Sequence, residues 1–247
     1  MTALATLEHP MPDAALERIE RLDWQALETE LEAHGCALIP RLLDDAACAQ
    51  LASIYSRDEG FRSRIVMERQ GFGRGEYKYF AYPLPTLLGR LRHRLYPPLA
   101  AIANRWNQRL GIDTRYPARL DTFLARCHRA GQRRPTPLLL QYGPGCYNRL
   151  HQDLYGEHVF PLQLAILLSA PDADFSGGEF VLTENIAGQQ RAEVVPLGKG
   201  DAVLFPVDLR PVPGKRGGFR RAAMRHGVSL VTSGQRRTLG LIFHDAS

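Results

Sequence analysis

From Pro137 onward the chain breaks into short apolar runs punctuated by turn residues: LLLQYGPG, PLQLAILLS, GGEFVLT, AEVVPL, DAVLFPV, RHGVSLVTSG and QRRTLGLIFHD. Runs this short, rich in β-branched and aromatic residues, predict strands joined by turns, the texture of an antiparallel sandwich or jelly roll. The region before it carries a helical period. Asp23 is placed to cap a helix with Trp24, Leu27 and Leu31 on one face and Gly35 as its stop. Cys36-Ala37-Leu38-Ile39-Pro40 reads as a short buried strand, and Asp44 and Asp45 open a second helix carrying Leu51, Ile54 and Tyr55 inward. From Pro85 to Gly131 apolar stripes run through Leu87, Leu88, Leu91 and Leu95, then Leu99, Ile102, Ala103, Trp106 and Leu110. Pro97-Pro98 is expected to break that run, and Pro117 to separate a last helix around Phe123, Leu124 and Cys127. The expected architecture is α+β. A loose arm (1–13) precedes one domain (14–247), in which mainly helical support (14–136) buttresses a double-stranded β-helix, or jelly roll (137–247).

The segment 61–82, FRSRIVMERQGFGRGEYKYFAY, interrupts the helical texture with glycines, basic residues and aromatics. It reads as a hairpin or mobile flap outside the core.

A chain of 247 residues with 45% hydrophobic and 23% charged residues has the composition of one ordinary globular domain, which excludes disordered and repeat architectures. The net charge of +5, mostly from arginine, is compatible with an anionic partner, nucleic acid included. Cys36, Cys48, Cys127 and Cys146 show no CxxC pairing and read as reduced thiols. The start lacks a basic segment followed by an apolar run, and no apolar stretch reaches bilayer length. A cytoplasmic protein without membrane association is expected.

His151-Gln152-Asp153 places an imidazole and a carboxylate on the same face of an extended segment. His226 stands before a strand that a jelly roll can bring opposite, and Arg236 lies on the next. Two imidazoles and one carboxylate form the set that holds non-haem Fe(II) with open positions, and arginine forks onto a carboxylate. An H-x-D alone is common among solvated residues. The order of H-x-D, distal His and then Arg across an all-β region is what points to an iron site with an organic-acid co-substrate. Arg237 competes with Arg236, but adjacent strand residues face opposite ways, so one of the two enters the pocket.

At YGPGCYNRLHQD (142–153), GDAVLF (200–205) and HGVSLVTSGQRRTL (226–239) the chain resembles the 2-oxoglutarate/Fe(II)-dependent dioxygenase superfamily. Its Tyr-x-Pro-Gly-x5-His-x-Asp spacing is similar to that of the AlkB-type nucleic-acid dealkylases. The distal His-x-Val-x-x-Val-x-x-Gly-x-Arg looks like the prolyl-hydroxylase and phytanoyl-hydroxylase branches. Through RLHQDLYGEHVFPLQLAILLS, DFSGGEFVLTE and GFGRGEYKYFAYPLP the chain also resembles a bacterial group of small oxygenases described as acting oxidatively on alkylated DNA. The resemblance implies Fe(II) on His151, Asp153 and His226, 2-oxoglutarate on Arg236 and Tyr142, and dioxygen as the oxidant. In AlkB-type enzymes an asparagine stands two residues before that tyrosine; here it is Leu140, and the second distal arginine has no counterpart in the remaining residues.

On the substrate side, basic residues interleaved with aromatics suit stacked bases and phosphates. Arg74, Tyr77, Lys78 and Tyr79 of 61–82, with Tyr155 and Glu157 after the H-x-D, are the candidate contacts. The basic stretch PGKRGGFRRAAMRHG (213–227) reads either as a segment that tracks a phosphate backbone or, equally, as a solvated loop. His158 follows the H-x-D closely, while His34, His93, His128 and His244 read as structural or surface residues. Alkylated single-stranded DNA or a flipped-out base is therefore the expected partner besides 2-oxoglutarate. Hydroxylation of a protein side chain or small metabolite, and a non-catalytic jelly-roll metal protein, are the alternatives.

Overall fold

The computed structural model describes residues 14–247, so the expected arm at 1–13 lies outside the described residues. A first helix that the apolar spacing does not announce, α1 (Ala14–Glu20), packs Ala15, Leu16 and Ile19 into the core. Helix α2 (Trp24–His34) runs between its sequence signals: Asp23 accepts from the backbone N–H groups of Gln25 and Ala26 at 3.0 Å, and Gly35 ends the helix in the left-handed conformation. Asp23→Ala removes both bonds and is expected to lower stability by about 1 kcal/mol in a urea unfolding titration.

After β1 (Ala37–Ile39) and α3 (Asp45–Ile54), the chain forms β2 (Phe61–Val66), a short 3-10 turn, β3 (Gly73–Arg74) and β4 (Glu76–Phe80). The reading of 61–82 as a flap outside the core is corrected here. β2 and β4 form a hairpin, but β4 also pairs along β5 (Leu138–Tyr142) and so belongs to the main sheet. Both faces of β4 are buried. Tyr77 and Tyr79 face inward, while Phe80 packs toward the helices. Lys78 gives the segment its surface-like composition, yet its ammonium is satisfied internally by the carbonyls of Tyr55 and Arg57 and the carboxylate of Asp58.

Helix α4 (Thr86–Arg109) passes through Pro97-Pro98 without ending, against the expected break. Proline costs a helix about 3 kcal/mol through the missing N–H and a clash with the preceding turn. Here the acceptors it releases, on His93 and Arg94, belong to exposed residues. Leu91, Leu95, Leu99, Ile102 and Trp106 hold both halves against the core. Helix α5 (Leu120–Arg129) follows after Pro117.

The remaining strands are β6 (Tyr147–His151), β7 (Leu162–Leu167), β8 (Phe175–Gly177), β9 (Phe180–Ile186), β10 (Gln189–Val195), β11 (Ala202–Pro206), β12 (Leu209–Pro213), β13 (Phe219–Val228), β14 (Val231–Gly234) and β15 (Arg236–Leu241). One sheet has the order β1-β11-β7-β15-β5-β4-β2; the facing sheet is β10-β9-β13-β6-β3, with β12 alongside β13. The basic stretch 213–227 is therefore largely a β-hairpin and not a loop. Ala222, Met224 and His226 point inward, while Arg221 and Arg225 stay exposed.

Strand parity divides the interior. On β7, β11 and β15, Leu164, Ile166, Leu204, Leu239 and Leu241 bury toward the helices. Ala165, Leu167, Val203 and Phe205 meet Phe180 and Leu182 of the facing sheet. Period-two alternation thus gives each large-sheet strand a helix side and a sandwich side. The sandwich side opens at one end into a cavity. No described helix is long and apolar enough to cross a membrane.

Candidate metal centre

His151 ends β6 and lies directly opposite His226 of β13. From His226 to Val228 the register advances two residues on β13 but three on β6, from His151 back to Asn148. This bulge turns both Asn148 and His151 toward the cavity, which an unbroken strand would place on opposite faces. Asp153, two residues beyond His151, completes the cluster. One ligand atom from each of the three lies within 4.8 Å of the others. Nε2 of His151 is 3.5 Å from Asp153 Oδ1, and Nε2 of His226 is 3.4 Å from Oδ2.

The surroundings orient these donors. His151 Nδ1 lies 2.8 Å from the carbonyl of Arg149, so Nδ1 carries the proton and Nε2 keeps its lone pair for the cluster. Tyr155 donates its hydroxyl proton to Asp153 Oδ1 at 2.7 Å, and Gln163 donates its amide to Oδ2 at 2.9 Å. Gln152 anchors the middle of H-x-D by donating to Asp208 and to the carbonyl of Met224. Burial alone would raise the Asp153 carboxyl, but the two histidines outweigh it and hold the group well below the ordinary carboxylate value. Burial opposes charge on His151 too, yet hydrogen bonding and attraction from Asp153 raise it. His226, fully enclosed, is lowered by burial and by repulsion from His151.

The same cavity, of about 130 Å³, extends from this cluster to Arg236, Thr238 and Tyr142. Arg236 and Tyr142 are register partners on β15 and β5. Arg236 is 1% exposed; its guanidinium lies 5.7 Å from the Tyr142 ring and 5.9 Å from the Phe175 ring and donates to Thr238. Among the described residues no carboxylate forms an ion pair with it, and its Nε has no partner. Burial pushes it down to about 10, which still leaves it charged at neutral pH. Arg237, on the opposite face, bonds Gln141 and Gln235 instead. Two glycines keep this wall close. A Cβ on Gly178 (φ +67°) would come within 2.9 Å of Arg236 Cδ, and one on Gly75 (φ +129°) within 2.9 Å of the Tyr142 ring.

The donor set fits a divalent iron and an organic acid. Two neutral imidazole lone pairs and one carboxylate converge as the N2O face that suits Fe(II). The unpaired buried cation, with the buried and unpartnered hydroxyl of Tyr142 beside it, fits a carboxylate.

Of the candidate substrate contacts, Tyr77 and Tyr155 line the cavity, and Tyr79 stands behind Tyr155 with ring centroids 6.4 Å apart. Arg74 pairs with Glu68 at the surface, and Glu157 is exposed. Lys78 points away, into the end of α3. Sequence reasoning missed Gln163, Asn148 and Thr238, all of which line the cavity. Gln163 did leave a signal, as the single polar side chain within the apolar run PLQLAILL. Asn148 depends on a bulge, which leaves none.

The chain is similar to known proteins over most of its length. Residues 75–246 match a family described as an oxygenase catalysing oxidative methylation of damaged DNA. An uncharacterized protein of Mycobacterium tuberculosis is 45% identical over 179 residues, 72% of this chain and 76% of the relative. A 2OG-Fe(II) oxygenase-family oxidoreductase of Burkholderia pseudomallei superposes with a TM-score of 0.55 at 13% identity, covering 92% of this chain and 93% of its own. A prolyl-4-hydroxylase of Pseudomonas putida gives 0.51 at 16% identity, covering 88% and 96%. On the strength of the family match and the mycobacterial relative, the chain belongs to that family of oxygenases, built on the fold of the 2-oxoglutarate/Fe(II) oxygenase superfamily.

Proposed function

We propose that this oxygenase holds Fe(II) on His151, Asp153 and His226, holds 2-oxoglutarate on Arg236 and Tyr142, and oxidises an alkyl group on a damaged nucleobase. The observation that carries the reading is one cavity joining a two-histidine, one-aspartate cluster to a buried arginine without an anionic partner. Bound iron and 2-oxoglutarate supply, with dioxygen, the oxidation that converts a substrate C–H to C–OH while 2-oxoglutarate becomes succinate and carbon dioxide. On an N-methyl group the product is N–CH2OH, which breaks its C–N bond to release formaldehyde and leaves N–H.

The protein's own part is placement. Arg236 and Thr238 fix one end of the co-substrate, with the Tyr142 hydroxyl available as a further donor. Tyr155 and Gln163 keep the Asp153 carboxylate facing the two Nε2 atoms. Phe180, Phe205 and Val228 wall the cluster with apolar surface, which limits water beside it. No side chain is required as a general base.

Phe72 supports the nucleobase assignment. It lines the cavity yet is 44% exposed, the position of a ring that stacks on a flat substrate at the mouth. Arg149 sits beside it, donating its guanidinium to the Gly71 carbonyl and its backbone N–H to the Phe72 carbonyl. An aromatic beside a cation suits a base with its phosphate.

The test is succinate and formaldehyde release with N-methylated single-stranded oligonucleotides, run beside peptide and metabolite pools. Formaldehyde in step with succinate on the oligonucleotides is expected, with Phe72→Ala raising KM about tenfold. Succinate formation that responds to a peptide or metabolite and not to oligonucleotides would move the substrate to that class. Failure of anaerobic Fe(II) and 2-oxoglutarate to give a weak visible charge-transfer band would overturn the metal assignment itself.

A further inference from the structure

Strand β7 is buried along its whole length, and its other side chains are aliphatic. Gln163 is 2% exposed in the midst of them. A leucine there would match its neighbours and leave no polar group to satisfy, so packing does not explain an amide. Its contacts do. Gln163 Nε2 lies 2.9 Å from Asp153 Oδ2 and 3.4 Å from His226 Nε2, so one group touches two of the three cluster residues. The reversed amide would set Oε1 against a carboxylate oxygen, acceptor to acceptor, so the carboxylate fixes the orientation. Oε1 is then left buried without a partner. An unsatisfied acceptor of this kind costs on the order of 1–3 kcal/mol. A fold keeps such an atom where function needs it.

We infer that Gln163 is a positioning residue of the metal centre, acting with Tyr155 to lock the Asp153 carboxylate by one donor on each oxygen; this rests on the metal assignment proposed above. With Tyr155 on Oδ1 and Gln163 on Oδ2, rotation of the carboxylate would break a buried hydrogen bond. The lone pairs left over face the two histidine Nε2 atoms. The carboxylate is thus preorganised before metal arrives. Partners of this type orient ligands and contribute to affinity without touching the ion.

The test is titration of the metal-free protein with Co(II), a spectroscopic substitute for Fe(II), following its visible ligand-field bands. Gln163→Leu is expected to weaken binding by roughly 10–100-fold and to shift the bands. The unfolding midpoint of the metal-free variant should change little, because the lost bond to Asp153 is offset by removal of the buried, unpartnered Oε1. A merely structural role would instead lower the midpoint and leave Co(II) affinity unchanged. Gln163→Met, an unbranched apolar isostere, serves if the leucine variant does not fold. Co(II) affinity within about threefold of the native protein, with native bands, overturns the inference. If native protein and His151→Ala bind Co(II) equally poorly, the metal assignment itself falls, a result distinct from failure of Gln163 alone.

Discussion

Asp153→Ala is expected to abolish the anaerobic Fe(II)/2-oxoglutarate band and to lower succinate formation by on the order of 10³-fold, equivalent to about 4 kcal/mol. The size follows from charge. Asp153 is the one anionic donor in the cluster, and the other two are neutral imidazoles in a cavity walled by Phe180, Phe205 and Val228. Without the carboxylate, a divalent ion would enter that apolar surrounding with no compensating charge. Asp153→Asn keeps the shape and loses the charge, so it should fail nearly as badly; a mild asparagine phenotype would mean that geometry dominates. Stability should move much less than activity. The alanine variant strands the Tyr155 hydroxyl and the Gln163 amide, for a loss of about 1–3 kcal/mol. It also relieves the cost of burying a carboxylate. Urea unfolding of the metal-free variant separates the two effects from turnover.

The fold was legible where local chemistry and burial agree. Asp23 and Gly35 bracket α2, and the seven runs after Pro137 each contain a strand. Strand parity is the strongest such signal, because a period of two sends Arg236 and Arg237 to opposite faces, and the spacing of the resemblance then names Arg236 as the buried one. Legibility failed where tertiary contacts override composition. Pro97-Pro98 looks like a break, but long apolar stripes on both sides carry the helix through it. Lys78 and its aromatic neighbours look like a solvated flap, because nothing local reveals that the carbonyls of Tyr55 and Arg57 and the Asp58 carboxylate await the ammonium. Within the site, His151, Asp153 and His226 are readable as a spaced set. Asn148 is not, since its approach depends on the extra residue that β6 carries opposite β13. Lys78 shows the converse error, a charged residue that composition assigns to substrate and packing assigns to the core.

Arg236→Met is expected to act on stability and on co-substrate binding with opposite signs. The guanidinium is enclosed between two aromatic rings with an unpartnered Nε and, among the described residues, no carboxylate in ion-pair contact. Burying an uncompensated charge costs several kcal/mol, and replacing it by an apolar side chain of similar length is commonly neutral or stabilising. The metal-free methionine variant should therefore unfold at the same or a higher urea concentration than the native protein. Its KM for 2-oxoglutarate should rise by about 100-fold or more, because a desolvated arginine–carboxylate contact contributes roughly 3 kcal/mol. Arg237→Met is the control, since that side chain bonds two glutamines on the other face and should change neither quantity much. Ligand-induced stabilisation provides the check that bypasses turnover. At a hundred times Kd a ligand stabilises the native state by about 2.7 kcal/mol, so 2-oxoglutarate with a redox-inert metal should raise the native midpoint clearly and the variant's barely. A loss of stability together with retained co-substrate binding would make Arg236 an ordinary packing residue. The opposite pair of results identifies a charge that the fold carries at its own expense, because the anion that satisfies it arrives with the substrate.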